Sequence, residues 1–294
     1  MFKKEEIVGY NPVIIQSDID FLEFMIAKNG VTLIEKTGLH KLIEDCNDYI
    51  KLESETDFGI DTLKPLLVLH SLSDTLKTLW MKRKPFGTQL RAMNSGDFAY
   101  GTPSDQSEIY FKDFELEIFT AAHLNEYNVD VELPQDTAGN DLYYKDIEIQ
   151  CKHPLVFTRQ KIDGFLRAFQ ISLQNNQKYG VFGIGVDDFL GFTEKDFPYD
   201  DEIILDAYRA RLNEAEVILR EVFDDTLKYC PRILGVYLIN THFMHSPQLG
   251  PTLTKMTNSV FCLRPNAKEV PEEIHRQAYE IISAFNSKPA IRKF

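Results

Sequence analysis

The chain has 294 residues, 32 Lys and Arg against 45 Asp and Glu, a formal net charge of −13 and 44% hydrophobic residues. At roughly 150 residues per domain this is one large domain or two modest ones, with enough apolar material for a core, which excludes a disordered tail. The acidic balance also excludes nucleic-acid binding over the whole surface, because affinity for phosphate chains comes chiefly from Lys and Arg displacing counterions, so any such contact must be local. No run of about 18 apolar residues occurs. The opening Met1-Phe2-Lys3-Lys4-Glu5-Glu6 lacks the apolar stretch of a secretory signal, and a soluble, cytoplasmic protein without a membrane partner is expected. Cys46, Cys151, Cys230 and Cys262 are too dispersed for a disulfide framework or a CxxC zinc site and read as buried small hydrophobes.

From Ser17 to Gly96 apolar residues recur at three- and four-residue spacing, as in Ile19, Leu22, Met25, Ile26 and Leu69, Leu72, Leu76, Leu79, Trp80. That period predicts helices, with Ser17-Asp18-Ile19-Asp20 as capping side chains. A loop rich in Gly, Ser, Pro and Asp, from Asn94 to Asp105, marks the best boundary. Residues 1–105 are therefore read as a helical N-terminal region and residues 106–294 as an α/β domain. In that domain the pattern predicts a helix over Asp113–Tyr127, a strand over Val129–Leu133, and a hairpin of Leu142–Tyr144 and Ile147–Lys152 turning near Lys145-Asp146. A helix over Thr158–Gln177, a buried strand over Tyr179–Val186 and a long helix over Asp200–Tyr229 follow. Strands over Ile233–Asn240 and Ser259–Leu263 and an amphipathic helix over Pro271–Phe285 close the chain.

Charge is uneven along this plan. Lys77, Lys82, Arg83, Lys84 and Arg91 give +5 between Lys77 and Gly96 with no acid, whereas Val186 to Thr226 carries −9. Such runs often only solvate a helix face. The basic one is nevertheless free to grip phosphates through Lys82, Arg83, Lys84 and Arg91. A second basic group, Arg159, Lys161 and Arg167, follows the hairpin.

The segment Asp141 to Lys152 carries the chemistry. Along Ile147–Lys152 side chains alternate, so Ile147, Ile149 and Cys151 point to one face and Glu148, Gln150 and Lys152 to the other. A hairpin centred near Lys145 sets Asp141 opposite residues 149–150, bringing its carboxylate near Gln150 and Lys152. A carboxylate, a second oxygen ligand and a lysine on one patch suit metal-assisted phosphodiester hydrolysis, since Mg²⁺ or Mn²⁺ takes oxygen ligands and a lysine offsets developing negative charge.

At these residues the chain resembles the PD-(D/E)xK nuclease superfamily, in the Gln-x-Lys variant of Mrr-like restriction endonucleases, with Ile149-Gln150-Cys151-Lys152 as the strand motif. The resemblance covers about Asp113 to Val186. It implies a restriction-endonuclease-like core, a central mixed sheet flanked by helices, with a helical region N-terminal to it. It also implies an Mg²⁺-dependent endonuclease acting on nucleic acid, DNA more than RNA, in defence or repair, with a homodimer as one assembly that cuts both strands. Asp141, Gln150, Lys152 and a helix glutamate would form the site. Both Glu115 and Glu117 flank the apolar stripe of their helix, and Glu115 is preferred. Gln150 stands where the family usually has an acid, which leaves the metal to lean on Asp141 and Glu115 or Glu117, with Glu148 as a substitute ligand. The rivals are a nuclease fold that no longer cuts and serves as a binding or assembly module, and an unrelated α/β protein with an ordinary polar hairpin.

Two further motifs are set aside. His242-Phe-Met-His245 lacks the glutamate of HExxH and reads as a pair of loop histidines. Gly180-Val-Phe-Gly183-Ile-Gly185 reads as a close-packed strand and not a phosphate loop.

Overall fold

The computed structural model describes residues 2–3, 11–58, 60–95, 111–135, 141–154, 157–186, 210, 213–222, 225, 228–239, 242–246, 250–254 and 270–286. Four helices come first: α1 (Pro12–Lys28), α2 (Gly38–Lys51), α3 (Ile60–Met81) and α4 (Gly87–Ser95). Helix α1 begins earlier than its sequence pattern suggests. Asn11 caps it by accepting a 3.0 Å hydrogen bond from the Ile14 N–H, and Pro12 occupies the first turn, where no N–H is required. Asp18, expected as a cap, is instead buried within the helix bundle.

The α/β part runs α5 (Phe111–Glu126), β-hairpin, α6 (Arg159–Asn176), strand, helix, strand. Strands Leu142–Tyr144 and Ile147–Lys152 form the hairpin, and Tyr179–Gly185 and Ile233–Ile239 complete a four-stranded mixed sheet. With the short pair Phe2–Lys3 and Asp57–Phe58 as β1 and β2, these four are β3, β4, β5 and β6. β3 is antiparallel to β4, and β4, β5 and β6 are mutually parallel. Of the strand expected over Val129–Leu133, only a bridge between Glu132 and Tyr143 forms. The helix α6 is bounded as its ends dictate: the Thr158 hydroxyl caps the Lys161 N–H, and Gln177 closes it in a left-handed conformation. Of the long helix expected over Asp200–Tyr229, residues 213–222 are helical (α7) and most of the rest lie outside the described residues. The expected strand Ser259–Leu263 and the Gly96–Asp105 loop also lie outside them. His242–Ser246 and Gly250–Thr254 form an antiparallel hairpin, β7 and β8, so the segment read as a histidine loop is strand. The closing helix is α8 (Glu272–Asn286).

Helices cover both faces of the sheet. Against one face, Ile147, Ile149, Cys151, Val181 and Tyr237 join α5, α8 and the N-terminal helices in one apolar cluster. That cluster crosses residue 105, so the helical region and the sheet share a core. On the other face Phe182, Ile184, Val236 and Leu238 pack against Ile162, Leu166, Phe169 and Leu173 of α6 and Ala215, Leu219 and Val222 of α7. A bulge places Leu234 as an extra residue between the Gly180–Ile233 and Val181–Gly235 partners, which shifts the face alternation of β6 by one residue. Cys46, Cys151 and Cys230 are buried free thiols. Among the described residues no helix is long and apolar enough to cross a membrane.

Candidate active site

The β3–β4 register pairs Leu142 with Ile149, which sets Asp141 beside the C-terminal end of β4 as the hairpin spacing requires. There its Oδ2 accepts a 2.5 Å hydrogen bond from the Cys151 N–H. In the first turn of α5, Asp113 Oδ1 accepts a 2.6 Å bond from the His153 N–H, one residue past the strand. Two backbone donors at the end of β4 thus orient two carboxylates from different elements. Glu117, one turn after Asp113 and 5% exposed, lies near enough to Asp141 and Lys152 for their charges to act on its carboxyl.

Lys152 lies within electrostatic reach of these three acids. Burial works against its ammonium, yet Asp141, Asp113 and Glu117 together hold its pKa above the ordinary lysine value. The acids move the other way. Burial pushes Asp141 up to about 6, against the pull of Lys152 and the Cys151 N–H, and Asp113 rises for the same reason. Glu117 is driven well above the ordinary glutamate value by burial and by the neighbouring Asp141.

The residues singled out by sequence distribute as follows. Asp141 and Lys152 come together as the motif requires. Of the two helix glutamates it is Glu117, not the preferred Glu115, that meets them: two residues turn an α-helix by roughly 200°, so Glu115 is carried to another side of α5. Gln150 is half-buried in mid-β4, opposite Phe182 of β5 and, by strand alternation, on the face away from Cys151. Glu148 accepts from Asn176 Nδ2 at 3.3 Å at the far end of the strand and does not stand in as a ligand. Asp113 was missed, although its i, i+4 relation to Glu117 on one helix face is visible in the sequence.

The basic residues are less concentrated than their spacing suggests. Lys82, Arg83 and Arg91 are exposed, and Arg91 donates to Asn29 O and Thr88 Oγ1 at 3.4 Å. Lys77 is bound to buried Asp18 at 2.8 Å and Lys84 to Asp130 at 2.6 Å, so neither is a spare cation. Arg159 is paired with Asp225 and Glu221 on the acidic segment, and Arg167 with Asp163. Lys161 is exposed, and its charge reaches Asp113 at the site.

Among the described residues no three His, Cys, Asp or Glu side chains converge in metal-holding geometry. The donor chemistry nevertheless fits a hard divalent cation: Asp113, Glu117 and Asp141 offer oxygen only, and three ionised carboxylates against one ammonium leave a charge of −2. Burial is the chief cause of the raised carboxyl pKa values of all three acids. Compared with known proteins, the chain matches no family model, no curated protein and no solved structure.

Proposed function

We propose that the protein is a metal-dependent nuclease that hydrolyses phosphodiester bonds, DNA in preference to RNA, on a restriction-endonuclease-like core. The observation that carries this reading is the pair of backbone hydrogen bonds at the end of β4, which set Asp141 and Asp113 beside the strand that carries Lys152, with Glu117 one turn further along α5. The order α5, Glu132 bridge, β3, β4, α6, β5 supports it, because this is the arrangement that the PD-(D/E)xK resemblance implies.

Asp141, Glu117 and Asp113 are the residues that would hold Mg²⁺ or Mn²⁺. Such an ion supplies a Lewis acid for the phosphate and a more acidic water. The chain's own part is orientation and charge. The Cys151 and His153 N–H groups fix two of the carboxylates before any ligand arrives, so little reorganisation is needed. Lys152, kept protonated by its acidic neighbours, donates hydrogen bonds to the attacking water or a phosphate oxygen and offsets the negative charge that develops there. Lys161 on the rim draws the phosphate chain toward an otherwise acidic surface.

Incubation with Mg²⁺ or Mn²⁺ and plasmid, linear or single-stranded DNA should give cleavage that EDTA stops and that falls at least about 100-fold in Lys152→Ala and Asp141→Ala. Cleavage that survives both substitutions overturns the reading. Mn²⁺ binding without cleavage of any substrate would favour the binding-module alternative that Gln150 suggests.

A further inference from the structure

A groove of about 630 Å³ lies away from the acidic cluster, between the C-terminal ends of α1 and α3 and the turn that leads into α4. Its lining includes Lys28, Trp80, Arg83, Lys84 and Phe86 and no carboxylate, in a chain whose acids outnumber its bases by 45 to 32. Trp80 is 41% exposed and Phe24 beside it 52%, with their rings edge to face at 6.4 Å. The Lys28 ammonium stands 4.0 Å from the centroid of the Trp80 ring. An exposed aromatic pair edged with cations is what a single-stranded nucleic acid uses: a base stacks on a ring while adjacent phosphates meet the cations.

Arg83 adds an independent sign. The Arg83 N–H bonds Trp80 O at 3.0 Å and the Lys84 N–H bonds Leu79 O at 2.9 Å, which closes α3 in a Schellman turn. That turn puts Arg83 at φ 57°, a left-handed position that favours glycine. Cations near helix C-termini also suit the macrodipole. The macrodipole explains neither the two aromatic rings left in solvent nor an arginine held at a strained position.

We propose that this groove binds a single-stranded nucleic-acid segment, with a base stacked on Trp80 and phosphates held by Lys28 and Arg83. The site deepens the nuclease reading, on which its choice of substrate form rests, since the turn flooring the groove continues into α4, which packs against α5, the helix of Asp113 and Glu117. Its test does not require cleavage.

Trp80 is the sole tryptophan, so fluorescence excited at the red edge, where the tyrosines do not absorb, reports on this groove. The full chain is titrated in EDTA with a thymidine oligonucleotide of about 15 residues and with a duplex of the same length. Single strand should quench Trp80 saturably and bind at least about tenfold more tightly than duplex, with affinity falling steeply as salt rises. Anisotropy of a labelled oligonucleotide should show Trp80→Ala weakened about tenfold. Arg83→Gly separates binding from folding: its thermal midpoint should rise as the backbone relaxes, while its affinity falls and its salt slope shrinks by about 0.7. No quenching at low salt, unchanged affinity in both variants, or stronger quenching by an apolar peptide than by the oligonucleotide would each overturn the proposal. Cleavage without quenching refutes this site alone, and quenching without metal-dependent cleavage refutes the nuclease reading alone.

Discussion

Asp141 accepts a 2.5 Å hydrogen bond from the Cys151 backbone N–H, a contact that ties the residue before β3 to the strand that carries Lys152. The bond orients a carboxylate that burial and acidic neighbours make costly to ionise, with its pKa pushed up to about 6. A carboxyl raised on folding binds a proton that the unfolded chain has released, so between the ordinary aspartate value and about 6 stability falls as pH rises. Asp141→Asn keeps an acceptor for Cys151 and removes the charge. In EDTA at pH 8 it should be more stable than the parent by about 1–3 kcal/mol, read as a rise of several degrees in a calorimetric scan, while losing cleavage. A lower midpoint would show that the carboxylate is not under strain.

Glu117 and Glu115 make a paired test of the helix face. Glu117→Gln should lower metal-dependent cleavage by about 100-fold, because it removes one of three acids around Lys152. Glu115→Gln should change the rate less than about threefold. Steady-state rates at saturating Mn²⁺ decide between them, and equal losses would contradict the assignment.

Gly185 makes room for the histidine next to the motif lysine. A Cβ there would stand 2.2 Å from His153 Cδ2, and His153 is the residue whose N–H orients Asp113. Gly185→Ala should therefore cost about 1–3 kcal/mol in urea unfolding and also slow cleavage. Gly183→Ala meets the Tyr237 ring, which is buried and stacked on Phe285 at 4.3 Å, and should destabilise at least as much.

Asp18 anchors the N-terminal helices. It is 3% exposed and accepts from His70 Nδ1 at 2.6 Å, Ser73 Oγ at 2.7 Å and Lys77 Nζ at 2.8 Å. Burial pushes its pKa up, but the bonds from His70, Lys77 and Ser73 outweigh this and hold it below the ordinary aspartate value. A carboxyl lowered on folding stabilises above its unfolded pKa and loses that contribution as pH falls through the folded one. Asp18→Ala should cost about 3–5 kcal/mol at pH 7, with the gap to the parent narrowing below about pH 4. Urea titrations at pH 7 and pH 3.5 measure both, and a gap that widens in acid would contradict the assigned role.

Local periodicity made much of this architecture legible. The alternation of Ile147–Lys152, the turn at Lys145-Asp146 and the Thr158 cap determine β4, the hairpin and the start of α6 from neighbouring residues alone. Asp141 and Lys152 could be brought together on paper because a tight hairpin sets its own register. The rotation of α5 against the sheet could not be read, because it depends on which side of the Phe111 to Ile118 stripe packs, and that decided between Glu115 and Glu117. Lys77 and Lys84 looked like spare cations because their acidic partners, Asp18 and Asp130, lie far away in the chain. The β7–β8 hairpin lacked a clean apolar alternation to announce it.

If Asp113, Glu117 and Asp141 hold a divalent metal ion beside Lys152, calorimetric titration of the parent and of Asp141→Asn with Mn²⁺ at pH 8 shows it most directly. The parent should give saturable heat, and the variant should lose it or bind at least about tenfold more weakly. Absence of any Mn²⁺ heat in the parent, or equal binding by both proteins, would contradict it.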